Sequence, residues 1–168
     1  MKDILYAPWR DEYIANKKIE GCVFCHISEN SEYDEDLHVL YRDEYCFIVM
    51  NKYPYTPGHF MIIPHAHTDK LEELESEIWL HISSLAQKGV KLLKEGLNAQ
   101  GVNIGMNLGV AGGAGIAEHI HMHLVPRWER DTNFMTSLAD TRVYSTDFEK
   151  VYKKIKSLIE IYICEVKS

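Results

Sequence analysis

Between residues 119 and 125 the chain reads His-Ile-His-Met-His-Leu-Val, imidazole and apolar side chains in strict alternation. A period of two belongs to a β-strand, whose successive side chains leave opposite faces; a helical turn would scatter the three rings. The run predicts a strand over residues 119–126, with His119, His121 and His123 on one face and Ile120, Met122 and Leu124 on the other. Neutral imidazole is both a nucleophile and a proton carrier near physiological pH, so such a row suits a reaction in which one ring attacks while its neighbours manage protons and charge. Two alternatives stand beside that one. Same-face histidines also ligate metals. A purely structural row would need a hydrogen-bond partner for every buried ring.

The chain has 168 residues, 46% of them hydrophobic and 26% charged, which suits a single domain over residues 1–168 with one core. Its apolar runs, Cys46 to Met50 among them, are too short to cross a bilayer, and Met1-Lys2-Asp3-Ile4 begins no signal-peptide pattern. We expect a cytoplasmic protein with no membrane partner. A net charge of −7 argues against a broad footprint on nucleic acid, whereas a small anionic ligand needs only a local pocket.

Residues 1–20 read as an arm that packs on something, since an exposed tail would rarely carry Trp9 and Tyr13. Val39-Leu40-Tyr41, a turn at Arg42-Asp43-Glu44, and residues 46–50 form a hairpin pattern. Two prolines and Gly58 make residues 53–58 a loop, after which residues 59–63 resume as a strand. Thr68-Asp69 opens a long helix with Asp69 as N-cap, running to Asn98 and Gly101. Residues 101–108 form a further strand and residues 109–115 a glycine-rich loop, and a capping box at Thr146 and Glu149 starts a last helix over about 146–165. This order predicts an α+β domain, mainly an antiparallel sheet of about five strands with one long central helix and a C-terminal helix.

Cys22-Val23-Phe24-Cys25 alone is ambiguous between a redox pair and half of a metal site. With Pro64-His65-Ala66-His67 and the histidine run, the chain holds enough sulfur and nitrogen for a closed Cys₂His₂ site. Cys46 and Cys164, each in an apolar stretch, read as core thiols.

These segments resemble the histidine triad (HIT) family of nucleotide hydrolases and transferases. Residues 119–125 fit its HxHxHxx signature, and residues 56–64, Thr-Pro-Gly-His-Phe-Met-Ile-Ile-Pro, are similar to its upstream strand. Within the family the chain looks most like bacterial diadenosine tetraphosphate phosphorylases, through residues 6–10, 51–55, 112–117, 126–128 and 131–135. The resemblance implies a HIT-like fold and gives the residues roles. His121 matches the nucleophile that attacks the α-phosphorus and forms a nucleotidyl-histidine, and His123 the residue that contacts the phosphate and helps the leaving group depart. His59 matches a further supporting histidine, Asn51 a ribose-binding residue, and Asn107 a phosphate- or sugar-contacting one. In zinc-containing relatives the metal is structural, and the matching ligands are Cys22, Cys25, His67 and His119. A homodimer and no organic cofactor are implied by the same likeness.

One departure from the family stands in the loop before the triad. Many HIT hydrolases carry a glutamine or serine where this chain has Gly115 and Ile116, so we expect backbone N–H groups from Gly112, Gly113 and Gly115 to meet the phosphate instead. The loop lacks the Gly-Lys-Ser/Thr ending of a P-loop and leads into a strand. Glu118 precedes the triad but alternation turns it from the imidazole face, leaving no evident general base for water. That favours an anionic acceptor such as inorganic phosphate. Hydrolysis of dinucleoside polyphosphates or nucleoside phosphoramidates, a metallohydrolase built on the triad, and a non-catalytic nucleotide-binding module are the competing functions.

Overall fold

A computed structural model describes residues 21–129, 131 and 146–164. The expected arm over residues 1–20, the segment 132–135 and the last residue of the expected C-terminal helix lie outside them. Five antiparallel strands form one sheet in the order β1-β2-β3-β5-β4. They are β1 (Val39–Arg42), β2 (Cys46–Met50), β3 (Phe60–Pro64), β4 (Gly101–Gly105) and β5 (Met122–Arg127). Among the described residues three α-helices accompany them: α1 (Val23–Glu29), α2 (Ser76–Lys91) and α3 (Phe148–Tyr162).

β2 and β3 are buried at every position, which is why both read as unbroken apolar runs rather than alternating ones. On one face of the sheet Leu40, Ile48, Ile62 and Leu124 pack with Ile82 and Leu85 of α2 and Val151 and Ile155 of α3. On the other, Val39, Phe47, Val49, Met61 and Ile63 pack with Phe24 and Ile27 of α1. The β1–β2 turn is held by Asp43, whose Oδ1 accepts the N–H groups of Tyr45 and Cys46 at 2.9 and 3.0 Å. Among the described residues no helix is long and apolar enough to cross a membrane.

Several boundaries differ from those expected. The long helix begins at Ser76 and is preceded by a 3₁₀ turn at Leu71–Glu73, because Leu74 is extended (φ −69°, ψ 136°) and Thr68 Oγ1 engages the Lys70 N–H locally at 3.1 Å. Leu74 still packs on the core, so the apolar period runs through a segment that is not α-helical. The strand expected over 101–108 stops at Gly105, where its partner β5 has reached His123. At α3 the capping side chain is Asp147, accepting the Lys150 N–H at 2.8 Å; Glu149 pairs with His38 instead of closing a box with Thr146.

Candidate active site

The histidine run lies where β5 begins. Pairing with β3 ends at Ile62 opposite Met122, and the Ile120 N–H goes to the Thr68 carbonyl at 2.8 Å, so residues 119–121 lead into the strand without joining its ladder. The expected strand start at His119 is thus corrected to Met122, and the alternation of faces survives the change. Met122 and Leu124 enter the helix-covered core. The imidazoles turn to the α1 side, with Phe24 centred 5.6 Å from His119 and 5.0 Å from His121, and His121 centred 4.8 Å from His123.

The acceptors around each ring dictate its proton positions. The His121 Nδ1–H donates to the His119 carbonyl at 2.9 Å, and a carbonyl can only accept, so Nε2 keeps its lone pair. Burial holds the His121 pKa below its ordinary value, against the opposing pull of that hydrogen bond, and the ring is neutral near pH 7. A second chain of bonds starts at the Tyr55 main-chain N–H, which donates to His59 Nδ1 at 3.2 Å. His59 Nε2–H then donates to His123 Nδ1 at 2.9 Å, leaving His123 with its own proton on Nε2. Burial first, then the neighbouring imidazoles, push His59 down to about 3 and His123 to about 4, so both are neutral. One ring therefore offers a lone pair while the next offers an N–H.

His59 is fully buried between β3 and the preceding loop, reached through Gly58 at φ +90°. A Cβ on Gly58 would stand 2.6 Å from Leu97, so both conformation and space require glycine there. Asn51 lies beside His59, its Nδ2 3.4 Å from each ring nitrogen, and its Oδ1 accepts the Tyr53 N–H. Asn107, with His123 and Tyr55, lines an open cleft of about 260 Å³. The glycine loop folds into a 3₁₀ turn at Val110–Gly112 in which the N–H groups of Gly112, Gly113 and Ala114 bond carbonyls of the same loop. Gly112 and Gly113 are therefore not offering these donors to a ligand in this conformation, contrary to expectation. The Gly115 N–H is the donor at that end of the loop which the turn does not use.

Behind the imidazoles, Cys22, Cys25, His67 and His119 bring one ligand atom each within 4.8 Å of the others. Cys25 Sγ lies 3.1 Å from His67 Nδ1 and 3.7 Å from His119 Nδ1, and Cys22 Sγ lies 3.4 Å from His119 Nδ1. Tetrahedral zinc with sulfur and nitrogen ligands separates such atoms by about 3.6 Å. The His119 Nε2–H is committed to the Pro64 carbonyl at 3.0 Å, which aims the Nδ1 lone pair at the sulfurs as a metal ligand requires. Burial and then Cys22 beside it push the Cys25 thiol up to about 11, since two adjacent thiolates are costly without a cation to share them. The residues fit zinc.

Sequence reasoning missed Phe24 and Tyr55. The only local signal for Phe24 was its apolar character between two cysteines, and Tyr55 acts through a main-chain N–H that no side-chain pattern encodes.

Fold and site define a class. Residues 32–130 match the model of the HIT domain, and the chain belongs to that family. The AP-4-A phosphorylase of Mycobacterium tuberculosis is 33% identical over 148 residues, covering 83% of this chain and 75% of that protein. Adenylylsulfatase HINT3 of Arabidopsis thaliana is 27% identical over 145 residues, 86% of this chain and 71% of its own length. Among solved structures, a Zn-bound histidine triad family protein from Mycobacterium smegmatis superposes with a TM-score of 0.70 at 29% identity, covering 86% of this chain and 98% of that one.

Proposed function

We propose that this protein is an enzyme that transfers or hydrolyses a nucleotidyl group through His121, acting as a diadenosine tetraphosphate phosphorylase. The carrying observation is the Nδ1–H bond of His121 to the His119 carbonyl, which leaves Nε2 as a neutral, buried nucleophile. His121 Nε2 attacks the α-phosphorus, forming a P–N bond as the bond to the leaving polyphosphate oxygen breaks. The electron pair departs with that oxygen, which the His123 Nε2–H meets as charge gathers there. An acceptor oxygen then displaces His121 and restores its lone pair. Glu118 is exposed, and among the described residues no carboxylate lines the cleft beside His123, which favours inorganic phosphate over water as acceptor. Asn51 and Asn107 are assigned to the sugar and phosphate, with the Gly115 N–H as a further donor.

Cys22, Cys25, His67 and His119 would hold zinc, which supplies a structural cross-link between α1, the segment after β3 and the start of β5. A homodimer belongs to the same proposal: among the described residues β4 ends the sheet with an open main-chain edge, and Ile104 on it is half exposed. The name of the Arabidopsis relative keeps water as acceptor and a different α-phosphate substrate as the second reading.

Incubating the protein with diadenosine tetraphosphate with and without phosphate tests the proposal. ADP plus ATP is the expected product pair; AMP plus ATP would place the second reading first. His121→Ala should abolish turnover and the covalent adenylyl adduct seen by mass spectrometry while leaving the melting curve in place. An adduct persisting in that variant would remove His121 as nucleophile.

A further inference from the structure

The cleft does not stop at His123. Strand alternation puts His123, Val125 and Arg127 on the half-exposed face of β5, and same-face residues advance about 6.6 Å at each step, so Arg127 stands roughly 13 Å beyond His123. Across the ladder Gly105 faces His123, Asn103 faces Val125 and Gly101 faces Arg127. Strands favour β-branched and aromatic residues, yet β4 carries glycine at both ends of this stretch. A Cβ on Gly105 would meet nothing within 4 Å, and one on Gly101 only the Arg127 Cβ at 3.8 Å. The side chain missing at Gly105 opens a trough floored by β5, with Tyr55 on its other wall.

Arg127 is the only charged residue in the described lining of that trough, in a chain whose net charge is −7. Its guanidinium is fixed before any ligand arrives. Nε and Nη2 donate to the two oxygens of Asp131 at 2.6 and 2.8 Å, and Nη1 donates to Asn103 Oδ1 at 2.9 Å. Of the five N–H donors of an arginine these use three, and among the described residues two remain. Because Asp131 offsets much of the charge, recognition here rests on directed hydrogen bonds to an anion and less on the long-range field.

We propose that the trough ending at Arg127 is a leaving-group subsite for a polyphosphate chain, with Arg127 as the residue that selects long substrates over short ones. This rests on attack by His121 at the α-phosphorus. An amine leaving group ends beside His123, whereas the ATP expelled from diadenosine tetraphosphate lays its triphosphate chain along β5 toward the guanidinium.

The test compares kcat/KM for diadenosine tetraphosphate with that for adenosine 5′-phosphoramidate, whose leaving group is ammonia. Arg127→Gln should lower the long-to-short ratio about tenfold, the effect of losing a hydrogen bond from a charged group. Gly105→Val narrows the trough where it leaves His123, on a residue paired with neither Arg127 nor Asp131, and should lower the ratio in the same direction even where Arg127→Gln weakens the fold. A ratio unchanged in both variants, with the two substrates losing activity in parallel, would assign Arg127 to structure alone and overturn the subsite. Wild-type protein inactive on both substrates would instead defeat the nucleotidyl-transfer reading, and the subsite with it.

Discussion

His59 is a buried imidazole that reaches the open cleft through another imidazole, His123. Its Nδ1 accepts from a main-chain N–H and its Nε2 must carry the proton donated to His123, so it selects the tautomer of His123 and works as a positioning residue. The arrangement has a stability signature. The folded pKa values of about 3 for His59 and about 4 for His123 lie below the ordinary 6.5, so between those limits the unfolded chain binds more protons than the native one. Stability from this pair is complete above pH 6.5 and declines as pH falls toward 4. Urea unfolding at pH 7.5 and 5.0 should show the wild type losing more stability on acidification than His59→Gln. Equal losses would mean that His59 is not held neutral by burial. The three triad histidines and the cysteine pair were legible in the sequence because strand and turn geometry act over a few residues. The His59–His123 bond was not, because its partners are 64 residues apart and only the sheet joins them.

α2 crosses the sheet beneath the histidine strand at a point where it has no side chain to spare. A Cβ on Gly89 would stand 2.8 Å from Leu124 Cδ2 and 3.1 Å from the Phe60 ring, both fully buried neighbours in the ladder that carries His123. Gly89→Ala gains about 1 kcal/mol of helix propensity. Overpacking in a closed core costs about 1–3 kcal/mol, so the net effect should be destabilising and should push β5 away from α2. Denaturant unfolding together with steady-state turnover checks this: the midpoint and kcat should fall together, and a raised midpoint would show that Leu124 has room to yield. The presence and apolar face of α2 were readable from periodicity. Its first turn was not, since a 3₁₀ turn and an extended Leu74 can half-bury leucines at nearly helical spacing. Likewise the switch of capping from Thr146 to Asp147 turns on Glu149 finding His38 on the far side of the chain.

At the scale of the molecule, the proposed metal site ties together segments that the sheet alone leaves loosely joined. α1 and its N-cap contribute Cys25 and Cys22, the segment after β3 contributes His67, and His119 stands at the entrance to β5. The order of strands was only partly legible, because alternating patterns predict antiparallel strands but do not say that β5 inserts between β3 and β4. The closeness of the four ligands depends on that insertion. Since His121 bonds the His119 carbonyl and Phe24 of α1 packs on its ring, loosening this junction should disturb the proposed nucleophile without removing it. None of the four ligands belongs to the helix-covered core, and the α1-covered core meets them at its edge, through Cys22 and through Phe24 on His119, so zinc removal should not unfold the chain. A loss of about 2–3 kcal/mol would lower Tm by roughly 5–10 °C in a chain of this size. Calorimetry before and after chelation, with metal content measured on the same samples, should show that decrease, and Cys22→Ser should reproduce it with reduced zinc. Quantitative metal loss with an unchanged melting curve would refute the bracing role, and complete loss of adduct formation at temperatures where the sheet remains folded would give the metal a part in the chemistry.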